Sequence, residues 1–373
     1  MTSEAELNEL HRRREAARAM GGPEAIAAHR ADGRMTARER IQAFVDPDSF
    51  HEFGILAGKG RYTKDGDLER FTPSNCVIGA GRVAGRRLMV ASDDFTLRGG
   101  SSEAAVSDKW IYAERMAYEL HMPLVRFVDS AGGSVKLLEQ MGRTKIPGYI
   151  LWPVTQLIGV VPVASIAFGS CAGLGAARVI SSHFSVMIRN KSYVFAAGPP
   201  VVKQGLGEEV TKDELGGHVV HTRHSGVVNN AADDEHDALR QVKQFLSYLP
   251  RHVWKLPPRI DCADDPRRRD EDLNAVIPEN RRKIFNPRTI LAAVLDRDST
   301  FEIARDFGGS VITALARLDG YAVGVMMSNP SVMGGAFTRS SAQKVERFVD
   351  TAVSSKDLSA LLWAFFGASG QHG

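Results

Sequence analysis

The 373-residue sequence has only three cysteines, Cys76, Cys171 and Cys262, with no CxxC pair and no regular spacing. That excludes a disulfide framework and a zinc ribbon, and such sparing use of thiols suits a reducing cytoplasm. Excess charge is also scarce. Lys and Arg number 47 against 44 Asp and Glu, a net +3, too little to gather nucleic acid. The basic clusters RRRD (Arg267 to Asp270) and Arg281–Arg282 read as solvated parts of a linker. No secretory leader is legible in the opening stretch MTSEAELNELHRRREAARAM, which reads as a charged helix. The stretch from Ile146 to Ala177 carries no charge and is long enough to span a bilayer. However, Pro147, Pro153, Pro162 and Gln156 interrupt it, and VVPVASIAF reads as a strand buried on both faces. Neither nucleic acid nor membrane is therefore an expected partner.

What is present is ordinary globular material, 43% hydrophobic and 24% charged, in a chain long enough for two domains. The start reads as helix to about Val45, broken at Gly21–Gly22. Two strand-like runs follow, Asn75 to Val83 and Arg86 to Asp94, joined tightly through Ala84 and Gly85. A helix (Ser107 to Leu120), a strand (LVRFVDS) and a glycine turn come next, then a second helix and VASIAFGS. Alternating strands and helices predict an α/β layered domain. From about Pro257 to Arg288 prolines and charges dominate, which predicts a linker. The expected organisation is residues 1–256, a linker over 257–288 and a second unit over 289–373.

The second unit repeats the first. FVDPDSFHEF near Asp46 returns as VLDRDSTFEI near Asp296, and VAGRRLMVASDDFTLRGGSSEAAVSDK (83–109) returns as LDGYAVGVMMSNPSVMGGAFTRSSAQK (318–344). The interval from Gly85 to Gly320 equals that from Gly99–Gly100 to Gly334–Gly335 and that from Lys109 to Lys344. One constant offset over three features marks an internal duplication. At that offset Asp129 of FVDSAGG falls near residue 364, in LLWAFFGASGQHG, and the equivalent of Gly173 falls past Gly373. The second copy is therefore expected to be incomplete, as a frameshift or premature stop would leave it.

Three motifs could carry chemistry. Cys171 in G-S-C-A-G (Gly169 to Gly173) has the form of a nucleophile elbow with Cys for Ser, and histidines at 183, 218, 221 and 224 could supply a base. The same turn can instead work through its backbone. Peptide N–H groups at a strand-to-helix turn point at a developing oxyanion, and the helix dipole assists. DSAGG (Asp129 to Gly133) is a second strand-end turn, in which Asp129 reads first as a helix cap. The spacing of His218, His221 and His224 is wrong for a zinc helix, and no metal site is read from it.

The pieces MTARERI, DPDSFHE, DDFTLRGGS, FVDSAGG, GSCAGLGAA, AAGPPVVKQGLGEEVTKDELGG and HTRHSGV span most of residues 30–250. Together they resemble the carboxyltransferase (β) subunits of biotin-dependent acyl-CoA carboxylases, of the propionyl-CoA and methylcrotonyl-CoA type. The wording of the AAGPPVVK string is most similar to the methylcrotonyl-CoA group. The resemblance implies a crotonase-like (ClpP/crotonase) β-β-α superhelix, duplicated, with the second copy incomplete. It implies an acyl-CoA substrate, biotin carried on a separate protein, and no metal in this chain. It implies a biotin carboxylase or biotin carboxyl carrier subunit as partner, a homo-oligomer and a cytoplasmic location. Carried onto this sequence, the oxyanion hole for the thioester enolate falls on the backbone of Gly173, Leu174 and Gly175, with substrate contacts at Gly132, Gly133 and Ala172. Leu174 stands where the family generally has glycine. The family's second glycine turn, on the biotin side, is not seen. A cysteine hydrolase, an inactive truncated scaffold subunit, and a decarboxylase subunit of the same superfamily remain as alternatives.

Overall fold

The computed structural model describes residues 4–101, 106, 108–133, 154–265, 267–271, 273–280, 283–354 and 361–364. Three helices lead the chain, α1 (Glu4–Arg18), α2 (Pro23–Ala31) and α3 (Ala37–Phe44). Gly22, at φ 92°, separates the first two, and α2 opens with proline in its first turn. A reciprocal capping box between Thr36 and Glu39 starts α3, which buries Arg40, Ile41 and Phe44.

The first copy is built on one sheet. Its strands are β1 (His51–Phe53), β4 (Cys76–Val83), β5 (Arg86–Asp93), β6 (Leu124–Ser130), β7 (Val163–Ala172), β8 (Phe184–Ile188) and β10 (Asn230–Ala232), in the order β1-β4-β5-β6-β7-β8-β10. β1, β4 and β5 are antiparallel neighbours, and β5 through β10 run parallel. A short β9 (Tyr193–Phe195) extends the sheet alongside the end of β7. A separate hairpin, β2 (Gly58–Tyr62) with β3 (Leu68–Pro73), stands between β1 and β4 in the chain. Helices α4 (Lys109–Glu119), α5 (Val154–Ile158), α6 (Leu174–Ile180), α7 (Pro199–Leu206), α8 (Lys212–Gly216) and α9 (Glu235–Tyr248) connect and cover the strands. β6 and most of β7 are buried along their whole length, which explains their unbroken apolar character.

The expected duplication is present in three dimensions. After α10 (Leu273–Val276) and α11 (Pro287–Val294), a second sheet runs β11 (Phe301–Glu302), β12 (Val311–Leu318), β13 (Tyr321–Ser328) and β14 (Leu361–Ala364). Its pairings are antiparallel, antiparallel and parallel, as at β1, β4, β5 and β6. Helix α12 (Arg339–Ser354) follows the second glycine turn, as α4 follows the first. Near residue 364, where the offset places the equivalent of the acidic turn, the structure has the strand β14 beside β13.

The segment 257–288 is less free than its composition suggests. Arg259 pairs with Asp319 at 2.9 Å, and Arg268 donates to the carbonyls of Ala292, Ala293 and Leu295 at the end of α11. Apolar packing also joins the two copies. Phe184 and Phe245 of the first stack at 4.7 Å, and Phe301 of the second closes on Phe184 at 5.4 Å within one buried cluster. Among the described residues no helix is long and apolar enough to cross a membrane.

Candidate active site

Two strand-end turns meet above β6 and β7. Ser130 and Cys171 are register partners where those strands end, so the chain leaving each strand lies beside the other. A Cβ built on Gly132 (φ 83°) would come within 3.1 Å of the Ala172 Cβ, and one on Gly175 within 3.2 Å of the Ser130 Cβ. A third turn, Arg98–Gly100, closes on the same place. The N–H of Ala131 donates to Gly99 O at 2.8 Å, and a Cβ on Gly100 would strike Asp129 O at 2.1 Å. The glycines are what let three backbones converge at the carboxyl ends of parallel strands, where ligands of open α/β sheets bind.

Of the expected site residues, Gly132, Ala172, Gly173, Leu174 and Gly175 come together here, and Gly133 lies exposed at the lip of the second turn. One assignment needs correction. The N–H of Gly173 donates to Phe195 O of β9 at 3.0 Å and is unavailable to an oxyanion. Gly173 instead serves as the N-cap of α6, at φ 57° and ψ −116°. The first intrahelical bond runs from the Ala177 N–H to Gly173 O at 3.1 Å. The N–H groups of Leu174, Gly175 and Ala176 thus precede it, with no side-chain cap. The Leu174 side chain packs with the apolar cluster around Trp110 and Met89.

Cys171 is not a nucleophile. It is fully buried, its thiol donates to Val128 O at 3.3 Å, and burial, with Asp129 and Asp93 nearby, pushes its pKa well above the ordinary thiol value. Two of the histidines are engaged elsewhere: His183 Nδ1 accepts from the Val163 N–H at 3.0 Å, and His221 Nε2 lies 2.6 Å from Val194 O. A cysteine hydrolase therefore lacks its exposed thiolate. Nor do His218, His221 and His224 form a metal centre. Among the described residues no group of three or more His, Cys, Asp or Glu side chains is placed to hold an ion.

Asp129, expected as a helix cap, is a buried ion-pair partner. It contacts Arg34 and sits 3.0 Å from Arg40, which pairs in turn with Glu235 at 2.9 Å at the start of α9. Burial alone would lower the Arg40 pKa, but Asp129 and Glu235 hold it above its usual value. The Arg40 guanidinium also lies over the Phe168 ring at 4.1 Å. Next to this pair, Asp93 takes both of its contacts with Arg178 of α6 at 3.0 Å and accepts the Asp129 N–H at 3.2 Å. Gly169 is glycine because a Cβ there would meet Arg34 at 2.2 Å and the Asp129 carboxylate at 2.4 Å. These ions lie beneath the turns and tie α3, β5, β6, α6 and α9 together. Sequence reasoning missed them; the only signal was charge inside otherwise apolar strands, at Asp93 and in LVRFVDS.

Residues 28–362 match the carboxyl transferase domain family. The carboxyltransferase subunit of propionyl-CoA carboxylase from Haloferax mediterranei is 37% identical over 352 residues, covering 94% of this chain and 67% of that protein. Methylmalonyl-CoA decarboxylase subunit alpha from Veillonella parvula is 32% identical over 349 residues, covering 93% and 68%. The fold superposes on the transcarboxylase 12S crystal structure, a hexamer with methylmalonyl-CoA and methylmalonic acid bound, with a TM-score of 0.84 and 30% identity. That match covers 95% of this chain and 69% of the other. The chain thus spans about two thirds of the length of each. The crotonase-like fold implied by the motifs is the fold observed, and the chain belongs to the carboxyl transferase family, that of the carboxyltransferase subunits of biotin-dependent acyl-CoA carboxylases.

Proposed function

We propose that the converging turns hold the thioester of an acyl-CoA, with its carbonyl oxygen on the N–H groups of Leu174 and Gly175 and its neighbouring atoms against Gly132, Gly133 and Ala172. The observation that carries this is the first turn of α6, without a side-chain cap, at the place where the glycine turns converge. As a proton leaves the acyl α-carbon, negative charge grows on that oxygen, and fixed amide dipoles stabilise it without reorganising. Gly173 anchors the turn on Phe195 instead of donating to substrate.

The surrounding side chains fit a reaction whose base arrives from outside. Asp93 and Asp129 are locked to arginines, and Cys171 is held as a thiol. Carboxybiotin, delivered by a separate carrier subunit, would supply both the carboxyl group and the base. The same hole serves either direction of transfer, which accommodates the likeness to a decarboxylase subunit. A homo-oligomer in the cytoplasm, working with a biotin carboxylase or biotin carboxyl carrier subunit, completes this reading.

Gly175→Val tests it by pressing a branched side chain against Ser130. Calorimetry should show propionyl-CoA binding weakened at least about tenfold, roughly 1.4 kcal/mol or more, while Cys171→Ala binds as the wild type does. Equal affinity in both variants would remove the turn from the site. A wild-type chain that assembles into oligomers yet binds no acyl-CoA would instead support the scaffold reading.

A further inference from the structure

A cavity of about 230 Å³ opens at the seam between the two copies, away from the glycine turns. Lys344 and Arg347 of α12 both line it. Their spacing puts them on one helix face, where like charges repel. Lys344 is only 4% exposed and donates to Val311 O at 2.7 Å. Arg347, half-buried, donates to the carbonyls of Gly226 and Val227, the latter at 3.1 Å. Among the described residues neither cation has a carboxylate at ion-pair distance; the nearby Glu302 is taken by Arg288 and Arg305.

Two cations withdrawn from water without a counter-charge are costly to fold around. Burial pulls the Lys344 pKa down to about 8, with Glu302 and Asp306 opposing and Arg288 adding to the fall. Burial also lowers that of Arg347. The duplication separates what the fold requires from what this cavity adds. The first-copy equivalents at the shared offset are Lys109, also buried, and Tyr112, which is 56% exposed. The lysine belongs to the repeat; the second cation belongs to the cavity. Apolar Ile158, Ile303, Phe307 and Phe348 share the lining with polar Ser182, His183, Asn229 and Thr313, and Asp350, which also lines it, is exposed.

We infer that this cavity binds a small monocarboxylate with a short hydrocarbon tail, its carboxylate between Lys344 and Arg347 and its tail against Ile303, Phe307 and Phe348. Asp350 in the lining disfavours a dicarboxylate. The site is independent of the acyl-CoA reading, because none of its residues belongs to the glycine turns. A ligand there bridges the two copies and stabilises the folded chain by an amount that grows with the logarithm of its concentration once the site fills.

The test is thermal unfolding of the full chain in hexanoate, hexanol or inorganic phosphate at equal concentrations. Hexanoate should raise the midpoint, whereas hexanol, without the charge, and phosphate, without the tail, should not. Lys344→Met and Arg347→Met should each remove the hexanoate effect. Equal stabilisation by hexanol, stabilisation by phosphate alone, or an undiminished hexanoate effect in Lys344→Met would overturn the inference. If either variant fails to fold, the three-ligand comparison on the wild-type chain decides alone.

Discussion

The two copies agree residue for residue in one part and diverge completely in another. β4 and β5 pair from Cys76 with Asp93 to Val83 with Arg86, and β12 and β13 pair from Val311 with Ser328 to Leu318 with Tyr321, every position displaced by the same interval. The Asp46 carboxylate accepts the N–H groups of Ala84 and Gly85, and Asp296 accepts those of Asp319 and Gly320. The pair Arg38–Glu52 returns as Arg288–Glu302, each beside a buried lysine. The ions beneath the glycine turns do not return. In the register that carries Arg38 to Arg288, Arg34 and Arg40 correspond to Ile284 and Ile290, while Asp93 corresponds to Ser328 in the register of the hairpins. The interval is longer ahead of β2–β3 than after it, because among the described residues that hairpin is found in the first copy and not between β11 and β12. Duplication has kept the parts that make the fold, while Arg34, Arg40 and Asp93 of the charged support have uncharged counterparts in the second copy.

The largest expected effect breaks that support. Asp129→Asn leaves Arg40, wholly buried, with Glu235 as its remaining carboxylate. Removing one partner of a buried pair costs about 3–5 kcal/mol. Urea unfolding should show a loss of that order, and a change below about 1 kcal/mol, the range of an exposed pair, would mean that the network is incidental to the first copy.

Acid should also act on the first copy before the second, whose described residues contain no histidine. Burial lowers the His183 pKa to about 4, against 6.5 ordinarily, with bonds to Ile158 and Val163 opposing. A histidine depressed on folding favours the native state above its unfolded pKa. That stability is lost as pH falls from about 6.5 towards 4, amounting to about 3 kcal/mol at most. Stability curves for the wild type and His183→Gln should diverge within that window. Parallel curves from neutrality down through it would show that His183 takes up its proton without cost.

Most of the fold was legible because its signals are local. The strands read at 75–83 and 86–94 are observed at Cys76–Val83 and Arg86–Asp93, and LVRFVDS is β6 without adjustment. The hairpin β2–β3 escaped notice because GKGRY is exposed on nearly every residue and presents no apolar alternation. The candidate site was legible as two glycine turns but not in its wiring. Whether the Gly173 N–H is free depends on Phe195 in another strand, and Arg40 meets the carboxylate of the distant Glu235. Pairings over such distances leave no periodicity in the sequence. The duplication was the exception, a long-range feature made legible because the chain states it twice.

A difference between two equivalent turns sharpens the comparison most, because it uses one substitution at both. Gly85 and Gly320 adopt the same backbone, at φ 75° and φ 76°. An alanine at either meets the left-handed penalty of roughly 1–2 kcal/mol. Around Gly85 there is open space, whereas a Cβ on Gly320 would lie 2.0 Å from Ile260 O. The Ile260 N–H also donates to Gly320 O at 3.2 Å, which fixes the start of the 257–288 segment on the second hairpin. Gly85→Ala should therefore cost only the backbone term. Gly320→Ala should cost that plus a steric term of about 1–3 kcal/mol. Equal losses in denaturant titrations would mean that the segment yields freely and does not hold the second copy in place; a larger loss at Gly320 would make it part of the folded second copy.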